Sequence, residues 1–212
     1  MNEATPDRWV RLWRRMNAQG EPLAIYQELV SLYSQPHRHY HNLNHIAACL
    51  SEFDSVLEPA LNPVAVELAI WFHDAVYDTR APDNEEKSAE LASRRIGAAG
   101  GSGELCGSVS ALVLATKIHD SSLHPDAPLL VDVDLSILGQ AEKRFQEYET
   151  QIRREYEWVP EKTFTEKRAE VLERFLARKR IYTTQPFFSK YETRARANLN
   201  DSVRKLKARL IE

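Results

Sequence analysis

All seven histidines fall between His37 and His124, and residues 125–212 contain none, so any imidazole chemistry is confined to the first two thirds of the chain. The densest stretch is RHYHNLNHI at 38–46, in which His41 and His45 stand four apart. On a helix that spacing puts both rings on one face, so that one can hold a metal while the other moves protons. A His-Asp step occurs at His73-Asp74 and again at His119-Asp120. Seven histidines and ten aspartates make about 0.3 such steps by chance, so the dipeptide alone says little. The surroundings separate the two copies. His73-Asp74 closes the apolar run PVAVELAIWF, where an ionised carboxylate is costly to bury unless a cation compensates it. His119-Asp120 lies in the polar stretch KIHDSSLHPD and needs no such compensation. Downstream, VDVDLSILG carries Asp132 and Asp134 in an apolar segment.

Two histidines and two aspartates form a nitrogen and oxygen donor set suited to Mn, Fe, Co, Ni or Zn, with Mg less comfortable beside imidazole. One or two divalent ions per chain are expected. Four protein ligands on a six-coordinate ion leave two positions, one for water and one for a phosphoryl oxygen, which is the arrangement of a phosphate-ester hydrolase. Other residues compete for roles around such a centre. Glu85 or Glu86 can orient a water, with a solvated helix face as the alternative use. Lys117 can neutralise a phosphate, although a loop lysine ordinarily faces water. His37 and His39 read as surface residues. Arg194 and Arg196 read as partners in salt bridges within a helix, and Trp9, Trp13, Trp71 and Phe72 as core.

The elements that must position these groups are helical. Apolar residues recur every three or four positions in Trp9, Leu12, Trp13 and Met16, and again in Leu23, Tyr26, Leu29, Val30 and Tyr33, which predicts two opening helices. Asn42 is placed to cap a third helix, and Pro63 to start a fourth whose nearly continuous apolar body predicts burial on most sides. Asp83 and Glu86 have capping-box spacing for a helix over EEKSAELASRRI, which the glycine-rich GAAGGSG ends. ELCGSVSALVLAT reads as another buried helix, KIHDSSLHPDAPL as a loop, and VDVDLSILG as a helix in preference to a strand. From Ala141 onward, long amphipathic helices follow, with Pro160 and Pro186 as breaks. The fold class is therefore all-α, in a single domain of 212 residues.

In order and context, His45, then FHD at 72–74, then DLSILG from Asp134 resemble the HD superfamily of metal-dependent phosphohydrolases. That resemblance implies an HD-type helical bundle over 1–212 whose metal ligands are His45, His73, Asp74 and Asp134, with Asp132 the alternative for the last. The site would be built from residues 41–134, and the helices of 141–212 would serve as scaffold. YHNLNH at 40–45 is similar to the YHNxxH segment of cyclic-nucleotide phosphodiesterases, whose first histidine protonates the leaving alcohol, which implies His41 as general acid. The resemblance also implies His119 as a phosphate or second-metal contact. The phosphodiesterases' HDxxHPG string is missing after His73-Asp74, so cyclic nucleotides are not the expected substrate. YHNLNHI, FHDAVYD, DNEEKSA, DVDLSILG, REYEWVP and ETRARANL together resemble a subfamily of bacterial predicted phosphohydrolases without an established substrate.

The expected mechanism uses His41, Asp74, Glu85 and Lys117 on a small phosphorylated metabolite or nucleotide, with Lys117 and His119 binding it. Two rival expectations are an HD-type di-iron oxygenase and a nucleotide-binding or sensing module without turnover. A formal net charge of −3 gives no general attraction to duplex nucleic acid or acidic membranes. No apolar run approaches a membrane span, and two cysteines without paired spacing fit a reducing cytoplasm. A homo-oligomer stays compatible with all of this.

Overall fold

The computed structural model describes residues 4–56 and 60–210. Among them are ten α-helices, one 3₁₀ helix and no strand, so the all-α expectation holds. None of these helices is long and apolar enough to cross a membrane. Contacts group the chain into two compact units, Met1–Asp134 and Leu135–Glu212.

The first unit is arranged around α4 (Pro63–Phe72), which packs against α1 (Pro6–Arg15), α3 (Leu43–Asp54), α5 (Asn84–Ala98), α6 (Gly103–Ala115) and α7 (Ala127–Asp134). Its sequence explains this central place. Every residue from Ala65 to Phe72 is buried, and a helix that is apolar all round reaches its lowest free energy surrounded by other helices. Pro63 occupies its first turn, and the Asn62 side chain accepts from Ala65 N at 3.0 Å, so the entry is capped. Asp126 holds the same end from the 116–126 loop, taking Leu61 N and Asn62 N at 2.8 Å each.

The one charged residue within the buried stretch of α4, Glu67, is matched by arginines of α1. Arg8 Nε donates to it at 2.7 Å and Arg15 Nη1 at 2.7 Å, and Arg8 also holds Asp54 of α3 at 2.5 and 2.8 Å. One guanidinium thus joins three helices. Trp9 stacks edge-on against Trp71, with ring centroids 5.4 Å apart, and lies beside Trp13 and Phe72; all four are core.

Three local expectations are corrected. The capping box at Asp83 and Glu86 does not form, because Asp83 pairs with Lys87 at 2.8 Å and Glu86 with Lys117: each carboxylate finds a cation in place of an orphan N–H. Pro186 is not a break but lies in the first turn of α10 (Gln185–Arg209), where its missing N–H costs nothing. His41 precedes the cap residue Asn42 of α3, so it does not share a helical face with His45.

In the second unit, a 3₁₀ helix (Leu135–Gly139), α8 (Glu142–Glu155) and α9 (Glu161–Leu176) accompany α10, which packs on α9 and on the 3₁₀ helix. Glu192 accepts from the backbone N–H groups of Ile181 and Tyr182 and pairs with Arg196 at 2.7 Å. Arg196 also takes the carbonyls of Leu176 and Arg178, satisfying the end of α9. A cleft of about 490 Å³ in this unit, lined by Phe145, Arg153, Phe164 and Lys205 among others, contains no histidine.

Truncation of Arg8 leaves the Glu67 carboxylate buried with a single, half-exposed partner. Arg8→Ala is expected to lower unfolding stability by roughly 3 kcal/mol, measured by urea denaturation, whereas Lys87→Ala, which removes only an exposed pair, should change it by under about 1 kcal/mol.

Candidate metal centre

Three elements deliver the central side chains. His45 lies in the first turn of α3, His73 is the cap residue that ends α4, with Asp74 next to it, and Asp134 is the last residue of α7. Both imidazoles are buried; the two carboxylates are 18% exposed, which leaves one side of the cluster open to solvent. His45 Nε2 stands 3.1 Å from His73 Nε2, 3.5 Å from Asp74 Oδ2 and 3.3 Å from Asp134 Oδ1. His73 Nε2 stands 3.1 Å from Asp74 Oδ2 and 3.6 Å from Asp134 Oδ1.

These distances match a shared ion. Atoms ~2.1 Å from one cation stand about 3.0 Å apart at neighbouring octahedral corners and about 3.4 Å apart at tetrahedral ones. His45, His73 and Asp74 thus form a group able to hold a metal ion. His73 Nδ1 lies 2.9 Å from the Ile70 carbonyl. Nδ1 therefore carries a hydrogen in either protonation state, so that loss of the proton from Nε2 would turn a lone pair to the cluster, as a metal-bound histidine requires.

Cys49, one turn beyond His45 on α3, offers a second grouping with His45 and Asp134. Its Sγ lies 3.7 Å from Nδ1 and 3.8 Å from Nε2 of His45. Near-equal distances from both nitrogens put the sulfur against the imidazole and off the line of either lone pair. Burial pushes its thiol well above the usual range, which keeps it protonated and inert.

The charges compensate one another. Burial alone would lower His73, but Asp74 and Asp134 outweigh it and hold the imidazole pKa well above its ordinary value. Burial alone would raise Asp74, but His73 and His41 hold it far below the usual carboxylate range. Asp134 is likewise held down, against burial, by His119, His45 and His73. His45 goes the other way: burial lowers it and the carboxylates only partly offset this. The imidazolium of His73 supplies the positive charge that two neighbouring carboxylates demand.

Arg38 ties together the segments that bear His41 and Asp74. Its guanidinium donates to the carbonyls of Asp74 at 2.6 Å, Ala75 at 2.9 Å and His41 at 3.1 Å, and its Nε reaches Gln35 at 3.1 Å. The rings of Tyr33 and Tyr77 flank it at 5.1 and 5.4 Å, and Tyr33 Oη holds the Trp71 carbonyl at 3.0 Å. The planar fork of an arginine suits this bridging, and a lysine would not reproduce it. The sequence reading missed Arg38, because its targets are carbonyls, which every residue possesses.

The other expected participants spread outward. His41 is half-buried, 5.8 Å ring to ring from His45 and 4.3 Å from Tyr77, so the two histidines converge through the turn before α3. Asp132 is fully buried, and it is Asp134 that stands among the imidazoles. His119 Nε2 lies 3.4 Å from Asp134 Oδ2. Glu85 is half-buried in the first turn of α5, and burial, aided by Asp74, raises its pKa. Lys117 Nζ is engaged by the Glu86 carboxylate and by the Pro82 carbonyl at 2.9 Å. His37 is exposed and holds the Tyr77 carbonyl at 3.0 Å, and His124 accepts from Asp126 N at 3.1 Å. Both disposals are structural.

Comparison with family models, curated proteins and solved structures returns no match, so geometry and chemistry carry the functional argument.

The pKa directions fix a pH dependence for metal-free protein. His73 is raised above its ordinary 6.5, so the stability it contributes is present below that value and lost as pH rises through the folded pKa. Asp74 and Asp134 are depressed below 3.8, so their contribution is present above 3.8 and lost as pH falls through their folded pKa values. Chelator-treated wild type should lose stability on the alkaline side, and His73→Gln should remove that alkaline limb. An unchanged limb in the variant would discard this electrostatic account.

Proposed function

We propose that the chain is a metal-dependent phosphohydrolase, with His45, His73, Asp74 and Asp134 as ligands of a divalent ion and a small phosphorylated metabolite or nucleotide as substrate. The observation that carries this reading is the gathering of two imidazoles and two carboxylates from three elements, each imidazole Nε2 lying 3.1–3.6 Å from the other imidazole and from both carboxylates, at a cluster open to solvent on one side. Two imidazoles favour Mn, Fe, Co, Ni or Zn over Mg. When bound, the ion supplies Lewis acidity toward water and toward a phosphoryl oxygen.

The protein's own groups do the rest. His41, beside the cluster and not engaged as a ligand, protonates the leaving oxygen as general acid. Its ring rests on Tyr77 and its carbonyl on Arg38, so its position is set by the clamp that also holds Asp74. Asp74 orients the attacking water with its carboxylate, kept ionised by His73 and His41. Glu85, whose carboxylate burial makes more basic, takes up the proton released from water and returns it to solvent. Lys117 turns from Glu86 to the phosphate, exchanging one anion for another at little cost because its present pair is exposed. The absence of general positive charge means that phosphate recognition is local to these groups.

In a screen of phosphomonoesters with metal-replete protein, phosphate release is expected to be abolished in His73→Ala and Asp74→Ala together with the bound metal. His41→Ala should keep the metal and lose roughly 10²–10⁴ in kcat. Undiminished turnover in His73→Ala or Asp74→Ala would end the assignment.

A further inference from the structure

Three helices of the first unit end in the same way. In α1 the Ala18 N–H returns to Trp13 O at 3.2 Å, in α5 Gly101 N–H returns to Ile96 O at 2.9 Å, and in α6 Asp120 N–H returns to Ala115 O at 2.9 Å. Each closure leaves the preceding residue with positive φ, as this type of helix ending demands. Those residues are Asn17 at 53°, Gly100 at 85° and His119 at 54°. Glycine adopts this backbone freely and asparagine tolerates it, whereas a histidine there costs about 1 kcal/mol relative to glycine.

The side chain at 119 differs from the other two in what it reaches. His119 Nε2 stands 3.4 Å from Asp134 Oδ2, while Oδ1 of the same carboxylate faces His45 at 3.3 Å and His73 at 3.6 Å. Asp134 is thus divided: one oxygen belongs to the donor cluster and the other to His119.

We propose that His119 is a positioning residue for Asp134, holding the outer carboxylate oxygen so that the inner one is presented to the ion, and that the strained helix ending at 119 is retained for this contact. The inference rests on the metal-centre reading above and extends it to a residue outside the four ligands. A locally unfavourable backbone beside a functional carboxylate is the pattern expected when a site, and not stability, selects the residue. Groups that orient a ligand commonly change metal affinity by roughly 10–100-fold.

Two substitutions separate the roles. His119→Gly relieves the backbone and removes the contact. His119→Gln keeps the strain but offers an amide N–H near the place of Nε2. Zn(II) affinity is measured by competition with a chelating dye, and stability by thermal melting of the metal-free forms. His119→Gly is expected to melt at or above the wild-type temperature and to bind Zn(II) at least ~10-fold more weakly; His119→Gln should melt no higher than wild type and bind within a few-fold of it. Wild-type affinity in His119→Gly overturns the positioning role while leaving the metal centre intact. A markedly lower melting temperature for His119→Gly makes the residue a structural one and overturns it as well. Loss of one of two bound ions in His119→Gly makes His119 a ligand, not a positioner. Failure of wild type to take up Zn(II) removes the metal-centre reading itself, and this proposal with it.

Discussion

Two carboxylates share a few ångströms with two imidazoles that water barely reaches, and the electrostatics of that gathering govern the first unit. Left without positive charge, Asp74 and Asp134 would repel each other in a medium of reduced dielectric, at a cost larger than most single interactions in a folded chain. A proton on His73 answers the demand in the metal-free protein, and a divalent ion answers it more fully. The same charge balance that keeps both aspartates ionised makes the place a good receptor for a cation. Stability and site chemistry therefore pull in the same direction here, apart from His45, whose burial lowers its pKa and favours the neutral imidazole.

Holding the four donors in register falls to backbone-directed contacts as much as to packing. Arg38 binds carbonyls on both the His41 side and the Asp74 side, so the turn that leaves α4 and the turn that enters α3 are tied to one guanidinium. Tyr33 and Tyr77 box in its guanidinium. Behind them, α4 is locked from its other end by Asn62 and Asp126 and from its side by the Arg8–Glu67 pair. A helix buried on every face is firmly seated, and His73 at its C-terminal end is fixed with it. At the α6 ending a backbone conformation that histidine disfavours stands where the side chain of His119 meets the Asp134 carboxylate.

The elements of the fold were largely legible in order and type because the periodicity of apolar residues reports helix directly. Trp9, Leu12 and Trp13 marked α1, and the nearly continuous apolar run from Val64 to Phe72 marked α4 as buried on most sides. Capping was less legible. Asp83 and Glu86 have the spacing of a capping box, yet Lys87 and Lys117 lie close enough to take both carboxylates; side-chain competition of this kind depends on neighbours that spacing does not reveal. His41 illustrates the same limit from the other side, since it reaches the cluster through a turn, although the helical argument that brought it into consideration does not apply.

By itself the sequence determined which residue types were present for chemistry and where they were concentrated: histidines confined to 37–124, an aspartate after the one histidine that closes an apolar helix, and two more aspartates in an apolar segment further on. Composition and period suffice for that because burial and helix are encoded locally. Only the tertiary structure decided that Asp134 stands among the imidazoles while Asp132 is buried away from solvent, that Cys49 lies against the His45 ring, that Arg38 staples the turns carrying His41 and Asp74, and that His119 stands 3.4 Å from the outer oxygen of Asp134. Each of these depends on the direction in which a side chain leaves its backbone and on partners tens of residues away. Distances between such partners are set by how helices pack and where they end, and a linear spacing carries no record of either.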